Sequence, residues 1–241
     1  MKKFLGSICL GIALLNVLGC GGSGSGGIDV RPAFVLSNPG NLRVVNLVNG
    51  NTIGSSVPLT VFLRDIAFNE NATLYGLGED LKLYTVNTLT GVCTVVSAAP
   101  MALSSYNGGM AFIPNTNTIL FVNQNDDYYK INAATGALIS QENDANISVF
   151  GLAFRPSDGK FYAYSQNDTI HKAADLPTSG TFTSVGALGI DLSGGLGMTV
   201  DPGTGFGYVI CQDGLYLVNL DTGAGIAVNV NSTGDDIAVA P

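Results

Sequence analysis

Two acidic residues stand where equivalent positions of a repeating pattern hold glycine. The segments Asp65, Ile66, Ala67, Phe68; Gly109, Met110, Ala111, Phe112; Gly151, Leu152, Ala153, Phe154; Gly197, Met198, Thr199, Val200; and Asp236, Ile237, Ala238, Val239 recur along the chain. If the repeats close into a ring, Asp65 and Asp236 face each other across neighbouring units near a central channel. Two carboxyls in one place can do general acid/base work or hold a cation. The alternative is that each caps backbone at a strand start. Little else has the makings of catalysis. His171, the single histidine, sits beside Lys172 on a strand where a solvated or hydrogen-bonded role is expected. No Gly-x-Ser-x-Gly elbow, phosphate loop or His-Glu-x-x-His segment occurs.

The elements that would position these residues follow from the period. The second positions of the five segments lie 44, 42, 46 and 39 residues apart, a mean of about 43, the length of one four-stranded propeller blade. After each of the first four segments come a turn and a β-rich run: Leu74 to Leu77, Ile119 to Val122, Phe161 to Tyr164 and Phe206 to Val209. A third run follows at Leu83 to Val86, Tyr128 to Ile131 and Leu215 to Val218. It ends at Thr90 and Gly91, Thr135 and Gly136, and Thr222 and Gly223, where glycine supplies the positive φ of a tight turn. The third repeat deviates, with Thr169 to Lys172 and a longer turn through Pro177 to Gly180.

The two ends of the chain are complementary fragments. Residues 33–59 hold a second, third and fourth strand but no first, and residues 236–240 are a first strand alone. Joined, they make a fifth blade and leave no free edge. The expected fold is therefore all-β, a five-bladed β-propeller closed by the C-terminal strand joining the N-terminal blade. Glycine, 32 of 241 residues, fits such a turn-rich fold. Seven blades would need about 301 residues at this period and are excluded.

These blades resemble the superfamily of YVTN-type and quinoprotein-dehydrogenase-like β-propellers, and in particular poorly characterised exported bacterial lipoprotein propellers with Leu-Tyr and Thr-Gly blade motifs. The likeness covers residues 33–241 and implies the fold rather than an activity. Quinone-cofactor members use tryptophan docking motifs. This chain has no tryptophan, and no such cofactor is expected.

In a propeller, the hairpins joining second to third strands share a face with the loops between blades. Glu79, Asp80, Asp126, Asp127, Asp168 and Asp213 fall in such hairpins, and Glu142, Asp144, Asp191, Asp235 and Asp236 in such loops, 11 of the 18 acids. A face of that charge attracts cations, cationic partners or hydroxyl-rich ligands. Aspartate is also favoured in turns for its bonds to local backbone. The candidate ligand residues are Asp65, Asp126, Asp127, Tyr106, Asp168, Asp213 and Asp236, with Tyr106 offering a stacking surface. Asn123 to Asp127 is the loop richest in oxygen donors; its Asp126 and Asp127 are weak candidates for Ca²⁺, although the spacing is not that of an EF-hand. No other cofactor is expected. Cys93 and Cys211 fall on blades that are not neighbours, so a disulfide between them is not expected.

The first residues read as an address. Lys2 and Lys3 precede an apolar stretch from Phe4 to Leu18, and Val17, Leu18, Gly19, Cys20 resembles the lipobox of bacterial lipoproteins. Residues 1–19 are then a signal peptide, Cys20 the lipidated residue, and residues 20–32 a Gly/Ser-rich tether ahead of the propeller at 33–241. Without Lys2 and Lys3, eight basic residues face eighteen acidic ones, which disfavours nucleic acid as a partner. The expectation is a non-enzymatic binding module, anchored by lipid in the bacterial cell envelope and facing a protein or carbohydrate ligand. Gly21 gives no inner-membrane retention signal of the aspartate type, which favours the outer membrane or cell surface. The alternative is a propeller lyase or hydrolase using Asp65 and Asp236, with metal assistance.

Overall fold

The computed structural model describes residues 30–37, 40–97, 99–143, 146–173, 181–194 and 196–241. The expected signal peptide, the lipidation site Cys20 and Asp144 lie outside these residues. Twenty strands form five antiparallel four-stranded sheets. Blade 1 is β4 (Leu63–Phe68), β5 (Leu74–Gly78), β6 (Leu83–Val86) and β7 (Cys93–Val95). Blade 2 is β8 (Gly108–Ile113), β9 (Thr118–Asn123), β10 (Asp127–Asn132) and β11 (Leu138–Asn143). Blade 3 is β12 (Val149–Arg155), β13 (Lys160–Ser165), β14 (Thr169–Ala173) and β15 (Thr183–Ala187). Blade 4 is β16 (Gly197–Val200), β17 (Gly207–Cys211), β18 (Gly214–Val218) and β19 (Gly225–Asn229).

Blade 5 takes strands from both chain ends. β20 (Asp236–Ala238) pairs with β1 (Pro32–Ser37), which continues to β2 (Asn41–Asn46) and β3 (Thr52–Pro58). The register sets Phe34 opposite Ala238 and Leu36 opposite Asp236. The innermost strands touch in the order β4, β8, β12, β16, β20 and back to β4, closing the five-bladed propeller.

One repeated device makes the turns after third strands. Asn87, Asn132 and Asn219 each accept two backbone N–H bonds through Oδ1, for Asn132 from Ala134 at 2.9 Å and Thr135 at 3.2 Å. Gly91, Gly136 and Gly223 then take φ of 72°, 67° and 84°, in the left-handed region that favours glycine. This is why Asn-x-x-Thr-Gly recurs in three blades.

The core is divided among the seams. Each of five apolar clusters fills one interface between adjacent blades: Tyr75 and Leu77 meet Phe112 and Phe121, and Tyr162 and Tyr164 meet Met198 and Val209. The closing seam packs Leu36, Leu42 and Ala238 against Leu63, Ile66 and Leu74. The periodic aromatics are packing between blades, as their spacing implies. Cys93 and Cys211 are separate thiols, on β7 and β17.

Candidate functional site

The inner ring is tightest where the repeat has glycine. A Cβ on Gly109 would overlap the backbone of Gly151 and Leu152, and one on Gly151 would lie 2.6 Å from Met198 N. The ring is different at its closing seam. Asp236 projects from β20 beside Gly197, and its Oδ2 accepts the backbone N–H of Ile66 on β4 at 2.6 Å. Asp65, one residue before Ile66, lies against Asp236, and its Oδ2 is buried without a hydrogen-bond partner. The structure therefore brings the two expected carboxyls together. It corrects their setting: they are enclosed, 3% and 4% exposed, rather than open at the channel mouth.

Burial dominates their chemistry. Removal from water, then the charge and hydrogen bond of Asp236, push the Asp65 carboxyl well above the usual range. Burial pushes Asp236 up to about 7, against hydrogen bonds from Asp65 and two backbone N–H groups that favour its ionised form. Asp65 is then the proton carrier of the pair and Asp236 the acceptor.

The loops of one face hold the remaining candidates, and tyrosine hydroxyls bond to three of the acids there. Tyr84 OH donates to Asp80 at 2.7 Å, Tyr129 OH to Asp127 at 3.1 Å, and Tyr164 OH to Asp168. Asp127 is buried and also accepts from Ser104 Oγ, while Asn123 Oδ1 accepts its backbone N–H at 3.1 Å. Asp126 is exposed, with φ of 65°. The Asn123 to Asp127 loop is thus a turn tied to the loop before β8, and Asp127 faces the protein rather than solvent. Asp213 accepts Ser193 N at 2.5 Å and Ser193 Oγ at 2.7 Å, bonds that hold its carboxyl below the usual range. Tyr106 is half-buried, and Arg64 lies over its ring, 5.5 Å from the centroid. Glu142 is not in a loop: it lies in β11, opposite Tyr128.

Asp127→Ala strips two hydroxyls of their acceptor and is expected to cost about 1–3 kcal/mol. Asp126→Ala, at an exposed position, should stay within about 0.5 kcal/mol. Paired thermal melts check this, and equal melting temperatures would contradict the turn role of Asp127.

Two cavities lie near the innermost strands, one at an end of the inner ring and one over a seam. One of about 330 Å³ is an apolar funnel lined by Phe68, Phe112, Phe154, Pro114, Pro156 and Pro202, on the face opposite the acidic loops. In the sequence, Phe68, Phe112 and Phe154 end the recurring tetrapeptides, and Pro114, Pro156 and Pro202 follow in the turns. The other, about 250 Å³, lies over the closing seam on the loop face, with Phe62, Arg64, Glu79 and Asp235 in its wall. Arg64 and Glu79 are paired at 2.5 Å. Burial raises the Asp235 carboxyl, and Arg64 opposes that.

The rest of the chemistry is sparse. His171 Nε2 lies 3.0 Å from Ser165 Oγ, a pairing the sequence reading missed because the two meet only through the β13–β14 hairpin. Ser165 is buried, and His171 Nδ1 is buried without a partner, so no carboxylate orients the ring. Burial lowers the His171 pKa. Among the described residues no three His, Cys, Asp or Glu side chains group as metal ligands would. Asp65 and Asp236 provide two such groups.

Residues 34–149 match the model of a domain of unknown function, DUF4394. That span runs from β1 to the first residue of β12, through the N-terminal strands of blade 5 and all of blades 1 and 2. No curated protein matches the chain.

Proposed function

We propose that this propeller is an exported, lipid-anchored recognition module that binds a cationic protein segment or a hydroxyl-rich ligand through its acidic loop face, without catalysing a reaction. The observation that supports this reading is where the described chain begins. β1 begins at Pro32 on the face opposite the acidic hairpins, where Arg31 pairs with Asp201 at 3.4 Å beside the funnel. An anchor at Cys20, on a short Gly/Ser tether, then holds the funnel face toward the membrane and presents the acidic loops outward. Hydrogen bonds hold the Asp80 carboxyl, against its partial burial, and the Asp213 carboxyl below the usual range, so both keep their charge on the outward face. The lipobox-like leader and the likeness to exported YVTN-type and quinoprotein-like propellers support a bacterial envelope location.

The lyase or hydrolase reading requires substrate to reach Asp65 or Asp236. Both are enclosed, and neither lines the two cavities described above. The test is salt-dependent binding of a basic peptide to the vesicle-anchored chain, compared between loop-face and funnel-face variants. Cys20→Ala, which should release the protein from the membrane fraction, tests the anchor separately.

A further inference from the structure

We propose that Asp65 and Asp236 form a proton-binding latch that closes the ring between its first complete blade and its C-terminal strand, so that uptake of one proton tightens this seam and its loss opens the seam and the cleft above it. Geometry carries the proposal. The other innermost strands place glycine at this position, so their neighbours approach backbone to backbone. At the closing seam two carboxyls fill the space, and Asp236 bridges β20 to β4 by accepting the Ile66 N–H. One Asp65 oxygen has no partner in a site closed to water. Two ionised carboxylates in such a place repel each other with no buried cation beside them, whereas one shared proton turns the pair into a donor and an acceptor.

The surroundings leave the proton to this pair. The equivalent positions on β8, β12 and β16 are Gly109, Gly151 and Gly197. On β4, Arg64 turns to Glu79 and the Tyr106 ring at the surface. Asp235 precedes β20 and is half-buried. β1 sets Leu36 opposite Asp236, β5 sets Leu77 opposite Asp65, and β17 contributes the buried Cys211, whose thiol is pushed up by burial. Arg64 and Asp235, the chain neighbours of the pair, line the 250 Å³ cleft, so a change in the seam reaches the loop face directly.

The sign follows from linkage. A carboxyl raised in the folded state binds its proton more tightly there than in the unfolded chain. The stabilisation is complete below the ordinary carboxyl range near pH 4; part of it is lost as Asp236 ionises at about 7, and the shared proton, on Asp65, leaves only at higher pH.

The experiment is a set of melts of the full chain in detergent and EDTA from pH 5 to 10, with backbone amide exchange at Ile66. The wild type should lose stability as pH rises above about 7, and Ile66 exchange, corrected for its intrinsic rate, should speed at least about tenfold between pH 8 and 10. Asp65→Asn reproduces the protonated donor. It should abolish the loss above pH 8 in both readouts and melt above wild type at pH 10. An unchanged slope above pH 8 in Asp65→Asn would overturn the latch. So would a wild-type melt at pH 8 raised by millimolar Ca²⁺ or Mg²⁺, which would make the pair a cation site. If Asp65→Asn does not fold, Asp236→Asn and wild-type Ile66 exchange decide alone, and pH-independent exchange would defeat the proposal.

Discussion

Truncation after Gly234 is expected to unfold the whole propeller. The removed segment includes β20, which supplies the inner strand of blade 5, buries Ile237 and Ala238 almost completely and pairs with β1 through Phe34, Val35 and Leu36. Burial of one large aliphatic side chain contributes about 1.5–3 kcal/mol, and each net ladder hydrogen bond about 1 kcal/mol. The Asp236 bridge to Ile66 is lost as well, and the apolar clusters of two seams are opened. The combined loss is on the order of 5 kcal/mol or more, comparable to the total stability of many domains. Far-ultraviolet circular dichroism and protease resistance would show a disordered chain. A cooperative melt within a few degrees of wild type would mean that the ring does not depend on closure by β20.

Gly151→Ala should be strongly damaging for a single added methyl. Its Cβ would sit 2.6 Å from Met198 N and 2.7 Å from Met198 Cβ, and the first of these is backbone of the next blade. Relief requires β12 and β16 to separate, and neither can rotate away as a side chain can. Overpacking of this kind costs typically 1–3 kcal/mol and more when backbone must move, so a loss of roughly 3 kcal/mol and a fall of about 10 °C in Tm are expected. Gly203→Ala is the control. Its nearest neighbour is Asp201 Oδ1 at 3.3 Å in a turn, and it should change stability by less than about 1 kcal/mol. Similar melting temperatures for the two variants would show that the inner ring is looser than its glycines imply.

Much of the architecture was legible because the blade repeats both a motif and a spacing. The five tetrapeptides became the innermost strands, and the Thr-Gly pairs became positive-φ turns. The complementary chain ends became one sheet. The meeting of Asp65 and Asp236 followed from the same ring logic. Their enclosure did not, because burial depends on how closely the inner strands approach. That distance is set by glycines on other blades.

The loop acids show a second limit. Asp126 and Asp127 are adjacent in sequence, yet strand alternation sends Asp127 inward with Tyr129 and leaves Asp126 in solvent. Composition cannot separate two such neighbours. Glu142 was misplaced for a related reason: β11 runs further than its polar residues imply, since an outer strand buries little and tolerates charge.

The most direct test of the recognition reading is binding of a fluorescent octalysine peptide to the full chain anchored in uncharged lipid vesicles, across a range of salt. The loop-face variant carries Asp126→Asn, Asp191→Asn and Asp213→Asn; the funnel-face variant carries Glu70→Gln and Asp221→Asn. If the acidic loops form the outward recognition face, wild-type binding weakens as salt rises, falls at least about tenfold in the loop-face variant and stays within about twofold of wild type in the funnel-face variant. Equal losses in both variants, or binding indifferent to the loop acids, would contradict recognition through that face.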